Sequence, residues 1–305
     1  MFKVLTKHPF LNGWKLFWLV STPLCCLMLW EMRSLDMSTP QAVSHMIGYS
    51  VRWSIPFIYL VVAASAVPKL FPGTFSRWWG RNRKYFGLMF AVAMAWQGLF
   101  IFTISTEFRD YYFEDVYLLR DEMEGSIGYI FLTFMVLTSF QFGRKHLTHA
   151  QWKLLHTFGI CFLWAYPFSV YWWNLFYYGS PEWHDYIFYA AGFLAFAARI
   201  AAWGQHRQRT LTNNVRAANK ATGAAIIFLA LAFAVTGEFW QDPLSTFLLA
   251  PAWSDELILW LPFWPFEPFL PLILLGIGTW LYTHETSEIN QSSPTRRQES
   301  LNSGA

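Results

Sequence analysis

Eight apolar stretches alternate with polar or charged connections along the chain, at about residues 12–30, 48–69, 85–106, 124–142, 152–174, 184–204, 222–240 and 257–283. A helix needs about 20 such residues to cross the hydrocarbon of a bilayer. Only helices and closed barrels satisfy every backbone group in lipid. The pattern therefore predicts an all-α, polytopic membrane helix bundle of about eight transmembrane helices. The first stretch is long and no small-x-small site follows it, so it reads as a retained span and not as a cleaved signal. In the last stretch Pro262, Pro265, Pro268 and Pro271 recur every three residues. Proline lacks an N–H and clashes with the preceding turn, so the outer half of this span is predicted to be irregular or kinked.

Charge gives the orientation. Lys3, Lys7 and Lys15 precede or open the first span. Lys69, Arg77, Arg81, Arg83 and Lys84 lie between spans 2 and 3, and Arg144, Lys145 and Lys153 between spans 4 and 5. Arg199, Arg207, Arg209, Arg216 and Lys220 connect spans 6 and 7, and the tail adds Arg296 and Arg297. One side thus holds 18 of the 22 Lys and Arg. The other side holds Arg33, Arg52, Arg109 and Arg120, with 16 of the 19 acids. The positive-inside rule places both termini in the cytoplasm. Residues 285–305 are rich in Ser, Gln and Asn and read as a disordered cytoplasmic tail.

Composition narrows the function classes. The chain is 55% hydrophobic, 20% aromatic and only 13% charged, against about 25% charged in soluble domains. A soluble enzyme, a disordered protein and a nucleic-acid binder are excluded. Cys25, Cys26 and Cys161 sit in apolar runs, with spacings that suit neither a disulfide framework nor a thiolate zinc site. There is no Gly-rich phosphate loop, no HExxH and no repeat of 20–50 residues. Trp78, Trp79, Trp172, Trp173, Trp260 and Trp264 fall near span ends, as interfacial aromatic belts do. The connection 107–124 carries seven acids and reads as a solvated loop. His146 and His149 share a helical i, i+3 spacing, but no third ligand is near.

Ionisable groups at membrane depth are functional candidates, and His156 is the one histidine placed inside a span. A lone imidazole in a bundle either bonds across helices or ligates a metal such as haem iron. Gln97, beside Trp96, has the donors and acceptor to hold a quinone carbonyl. The plainer role for such an amide is an interhelical hydrogen bond of about 1 kcal/mol or less.

Several short motifs occur in order. Pro68 ends span 2, and Arg83-Lys84-Tyr85-Phe86-Gly87-Leu88 opens span 3. Gly125 and Gly128 open span 4, which ends in Leu137-Thr138-Ser139. Trp152-Lys153-Leu154-Leu155-His156 opens span 5. On these motifs, residues 50–173 resemble the core of the ferric-reductase-like transmembrane superfamily. They are most similar to the haem-binding membrane subunits of periplasmic methionine-sulfoxide reductase systems. The similarity covers about 40% of the chain. It divides the sequence into an N-terminal span and outer loop (1–47), a ferric-reductase-like core (48–204), two additional spans (205–284) and the tail (285–305).

The resemblance implies haem b, held by histidines on spans 3 and 5, and electron transfer across a bacterial inner membrane. It also implies a cytoplasmic flavoprotein or quinol donor and a membrane or periplasmic partner protein. Carried over by position, the first span 5 ligand is His156. The span 3 ligand falls on Gln97 and the second span 5 ligand on Ser169, neither of which is a usual axial ligand. At about 1.5 Å per residue, Gln97 and Ser169 lie roughly 20–25 Å from the cytoplasmic side and His156 roughly 6–9 Å in. Met89 shares the depth of His156, so a His/Met-ligated inner haem is geometrically open. Gap-filling packing is the plainer reading of Met89 and of Met94.

Two expectations follow. One is an electron-transfer component with at most one haem, at His156. The other is a haem-free relative acting as scaffold, partner subunit or small-ligand (quinone-like) binder. An ion-coupled transporter is disfavoured, because no charged residue is placed at mid-membrane.

Overall fold

The computed structural model describes residue 6 and residues 8–210 and 215–284. The expected tail, 285–305, lies outside these residues, as do Lys3, Lys7, Arg296 and Arg297. Ten helices of ten residues or more follow one another: α1 (Gly13–Ser34), α2 (Pro40–Ala63), α3 (Thr74–Glu107), α4 (Leu119–Thr138), α5 (His149–Phe176), α6 (Trp183–Thr210), α7 (Ala217–Val235), α8 (Gly237–Leu248), α9 (Pro251–Trp260) and α10 (Leu270–Tyr282). No strand occurs among the described residues. Six helices, α1, α2, α3, α5, α6 and α7, are long and apolar enough to cross a membrane. Outward-facing Trp18, Trp30, Phe102, Phe134, Phe158, Leu194 and Phe228 are more than half exposed. That much apolar surface is suited to lipid and not to water.

The helix ends depart from the apolar stretches for local reasons. Thr39 caps α2, its Oγ1 accepting from the Ala42 N–H, and Pro40 sits at the first helical position, where its missing N–H costs nothing. The helix therefore starts eight residues before the apolar stretch. At α3 the Ser76 hydroxyl accepts from Gly73 N–H (2.9 Å) and donates to Phe71 O (2.6 Å). Arg77, Arg81, Arg83 and Lys84, read as part of a loop, thus lie in the first three turns of α3. A reciprocal Thr148/Gln151 capping box opens α5, the geometry expected of Ser/Thr followed three residues later by Gln.

α4 begins with Arg120, Asp121, Glu122 and Glu124 in its first turns and α10 is only 13 residues long, so neither matches the six in length and apolarity. The proline run explains the second case. The chain leaves α9 at Leu261, turns with Phe263 and Phe266 at positive φ, and re-enters helix at Glu267. Phe263 N–H donates to the buried carboxylate of Glu124 at 2.9 Å, which pins this irregular segment over the start of α4. Glu267, only 1% exposed, accepts from Ser245 Oγ (2.6 Å), itself bonded to Gln241.

The main core is built from α2, α3, α5, α6, α7 and α10, with smaller contributions from α1 and α4, and Ile55, Met89, Phe168 and Trp172 are fully buried in it. Tyr189 OH donates to Ala234 O at 2.8 Å. That carbonyl is among the last four of α7, which lack a partner within their own helix. α7 and α10 meet backbone to backbone at Gly223 and Gly278.

Candidate functional site

A stripe on α3 faces α4 and α5 across a gap. Its members are Arg83, Gly87, Phe90, Met94, Gln97, Ile101 and Ile104. Their spacing of three and four residues keeps them on one face at 100° per residue. Opposite stand Leu132 and Thr138 or Tyr129 on α4, and Trp152, His156, Ile160, Leu163 and Tyr166 on α5. The gap holds two stacked cavities, one of about 330 Å³ at the basic end of the bundle and one of about 350 Å³ at the acidic end. Phe90, Leu132 and Leu163 line both. Each volume is near the lower end for ligand pockets, about 300–1,000 Å³.

His156 lines the first cavity. Its Nε2 lies 3.0 Å from Thr138 Oγ1. The Thr138 hydroxyl proton is used on Phe134 O at 2.7 Å, so Thr138 accepts and Nε2 carries the proton, an assignment made from the network. The ring also packs on Trp152, centroids 4.4 Å apart, and the Trp152 indole N–H donates to Thr138 O at 3.2 Å. The imidazole is therefore tied into a knot between the end of α4 and the start of α5. Facing it from α3 are Arg83, Lys84, Gly87 and Phe90, none of which supplies an axial donor of the kinds haem iron takes.

Met89 is fully buried in the main core and lines neither cavity. It shares the depth of His156 but is turned about 100° from the flanking stripe position Phe90. Ser169 likewise lines neither cavity, and its hydroxyl donates to Tyr166 O at 2.9 Å. Thirteen residues beyond His156 is a turn of roughly 220° around the helix, so Ser169 faces elsewhere, while Tyr166 and Pro167 reach the cavity. The structure does not bring Met89 to His156, nor Ser169 to Gln97. The outer cavity lining contains no imidazole. Among the described residues no group of three or more His, Cys, Asp or Glu is placed to hold a metal ion. Met135 on α4 lines the first cavity together with His156, and its sulfur is packed against Gly159 on α5.

Gln97 does line the outer cavity. Tyr129 OH lies 3.0 Å from both Gln97 Oε1 and Met94 O, so one hydroxyl proton serves two acceptors. This contact fixes the amide against α4. Sequence reasoning missed Tyr129 and the role of Thr138, although the regular spacing of the α3 stripe was available as a signal.

Comparison with family models, with curated proteins and with solved structures found no match.

Proposed function

We propose that this chain is a haem-free relative of the ferric-reductase-like membrane proteins that keeps the column between α3 and α5 as a small-ligand site. The ligand is an amphipathic, carbonyl-bearing molecule of quinone type, seated in the outer cavity. The observation that carries this reading is Gln97, whose amide lies 3.0 Å from the Tyr129 hydroxyl and lines a largely apolar cavity. A carbonyl oxygen is the acceptor that the NH₂ of such an amide fits. In this reading the bundle has eight passes, the eighth made of the proline-rich turn and α10. Both termini lie on the basic, cytoplasmic side of a bacterial inner membrane.

The test titrates purified protein with decylubiquinone and follows tryptophan fluorescence, Trp96 being adjacent in sequence to Gln97. Saturable quenching is expected. Gln97→Leu weakens it about fivefold, since one hydrogen bond is worth about 1 kcal/mol and tenfold is about 1.4 kcal/mol. The competing electron-relay reading predicts a Soret band with split reduced bands that disappears in His156→Ala. That spectrum in protein as purified would overturn the proposal.

A further inference from the structure

Among the described residues, every ion pair lies at the acidic end of the bundle, formed by Glu31, Asp121, Glu124, Glu182 and Asp185. The basic end has no carboxylate in these residues. Three cationic side chains nevertheless converge on the inner cavity: Arg83 and Lys84 from the start of α3, and Arg144 from the α4–α5 connection. Arg144 is held in place, with Nη1 donating to Leu147 O at 2.6 Å and its guanidinium 5.3 Å from the Trp152 ring centroid. Lys84 Nζ sits 4.7 Å from the Phe140 ring centroid. Arg83 is half-buried and makes no hydrogen bond or ion pair among the described residues. Below these cations the cavity is apolar, walled by Ile58, Val61, Leu132, Met135 and Ile160.

Like charges brought together without a counter-ion repel, so the arrangement is costly unless an anion joins it. The apolar floor says that the anion is attached to a hydrocarbon chain. Basic pockets between transmembrane helices on the cytoplasmic side suit anionic lipid headgroups, and guanidinium forks match phosphate oxygens in pairs. We propose that the inner cavity is a site for one anionic phospholipid, with its phosphate between Arg83 and Arg144 and the start of one acyl chain against Ile58 and Leu132. This site is distinct from the quinone-type site at Gln97, with which it shares only Phe90, Leu132 and Leu163 of its lining.

The experiment is native mass spectrometry of the full chain in neutral detergent, titrated with phosphatidylglycerol or phosphatidylcholine. One phosphatidylglycerol is expected to be retained with at least fivefold preference. The Arg83→Gln/Arg144→Gln double variant should fall to the phosphatidylcholine level. Lys145→Gln/Arg209→Gln, which removes the same charge from exposed positions outside the cavity, should leave retention unchanged. If the first variant loses its cooperative thermal transition, Arg83→Lys/Arg144→Lys decides, because it keeps the charge and loses the fork, and retention should drop severalfold. Gln97→Leu should leave lipid retention intact, so failure of the quinone reading is seen separately. Equal retention of the two lipids, loss that merely follows total charge, or displacement by millimolar inorganic phosphate would each overturn the proposal.

Discussion

The contact between α7 and α10 sets a sharp steric test. α10 has 13 residues, or about 20 Å of helix, too short for the roughly 30 Å of hydrocarbon. Its place in the bundle depends on the helix beside it. A Cβ built on Gly223 would lie 2.5 Å from Tyr282 N, 2.7 Å from Gly278 O and 2.8 Å from Tyr282 Cα. Ordinary contact begins at 3.4 Å, and these are backbone atoms that no rotamer change can move. Gly223→Ala therefore forces the helix axes apart by about 1 Å, and overpacking of this kind costs about 1–3 kcal/mol. At about 2–4 °C per kcal/mol for a chain of this size, the melting temperature in detergent should fall by roughly 2–12 °C, read from tryptophan fluorescence. Gly276→Ala is the matched control on α10, where nothing lies within 4 Å of the added carbon. Alanine is the better helix former by about 1 kcal/mol, so this variant should melt at or above the wild-type temperature. Equal melting temperatures for the two variants, or a wild-type value for Gly223→Ala, would refute close backbone packing as the anchor of α10.

Thr138→Val removes the acceptor of the His156 Nε2 proton while keeping the side-chain shape. It should destabilise the fold by about 1–2 kcal/mol and release the ring to populate both tautomers, which ¹⁵N NMR of the imidazole reads directly. A single unchanged tautomer would count against the assigned knot. Asp36, in the α1–α2 connection, accepts from the Ser38 hydroxyl at 2.6 Å and from its N–H at 3.1 Å, and these bonds hold its carboxyl below the usual carboxylate range. A lowered folded-state value means stability that is present above the unfolded pKa of about 3.9 and lost as pH falls through the lowered one. Ser38→Ala should raise the Asp36 midpoint in a ¹³C carboxyl titration and leave behaviour at pH 7 unchanged, and an unmoved midpoint would exclude the hydroxyl as the main cause.

The apolar stretches made an all-helical membrane bundle legible, because hydropathy reports which segments suit lipid. It does not report where a helix begins. Arg77, Arg81, Arg83 and Lys84 looked like a loop since charge leaves the hydrocarbon, yet a helix can continue past the membrane surface, and the Ser76 cap starts α3 there. Depth along a helix was equally legible: His156 and Gln97 fall in separate cavities stacked along the α3–α5 gap, His156 at the basic end. Depth is only one coordinate. The second is the angle around the axis, which turns Met89 and Ser169 away from both cavities. The Gly223–Gly278 crossing could not be read at all, because two glycines 55 positions apart become neighbours only once α7 and α10 pack.

The angular coordinate also bears on what the column can do. An electron relay asks for a redox group in each cavity, aligned through the bilayer, and hence for a donor pair at each level. The stripe that faces both cavities offers Arg83, Gly87 and Phe90 at one level and Met94, Gln97 and Ile101 at the other. These groups differ in kind. The inner level is cationic, while the outer mouth carries Asp121, Glu122 and Glu124, the first two in the opening turn of α4, where carboxylates favour the positive end of the helix dipole. A single cofactor type repeated through the membrane would meet opposite fields at its two stations. The two proposed ligands, an anion at the basic mouth and a neutral carbonyl compound at the acidic end, would each meet a field that suits it. On the proposed reading, the linings suit two independent binding sites better than a conducting pair.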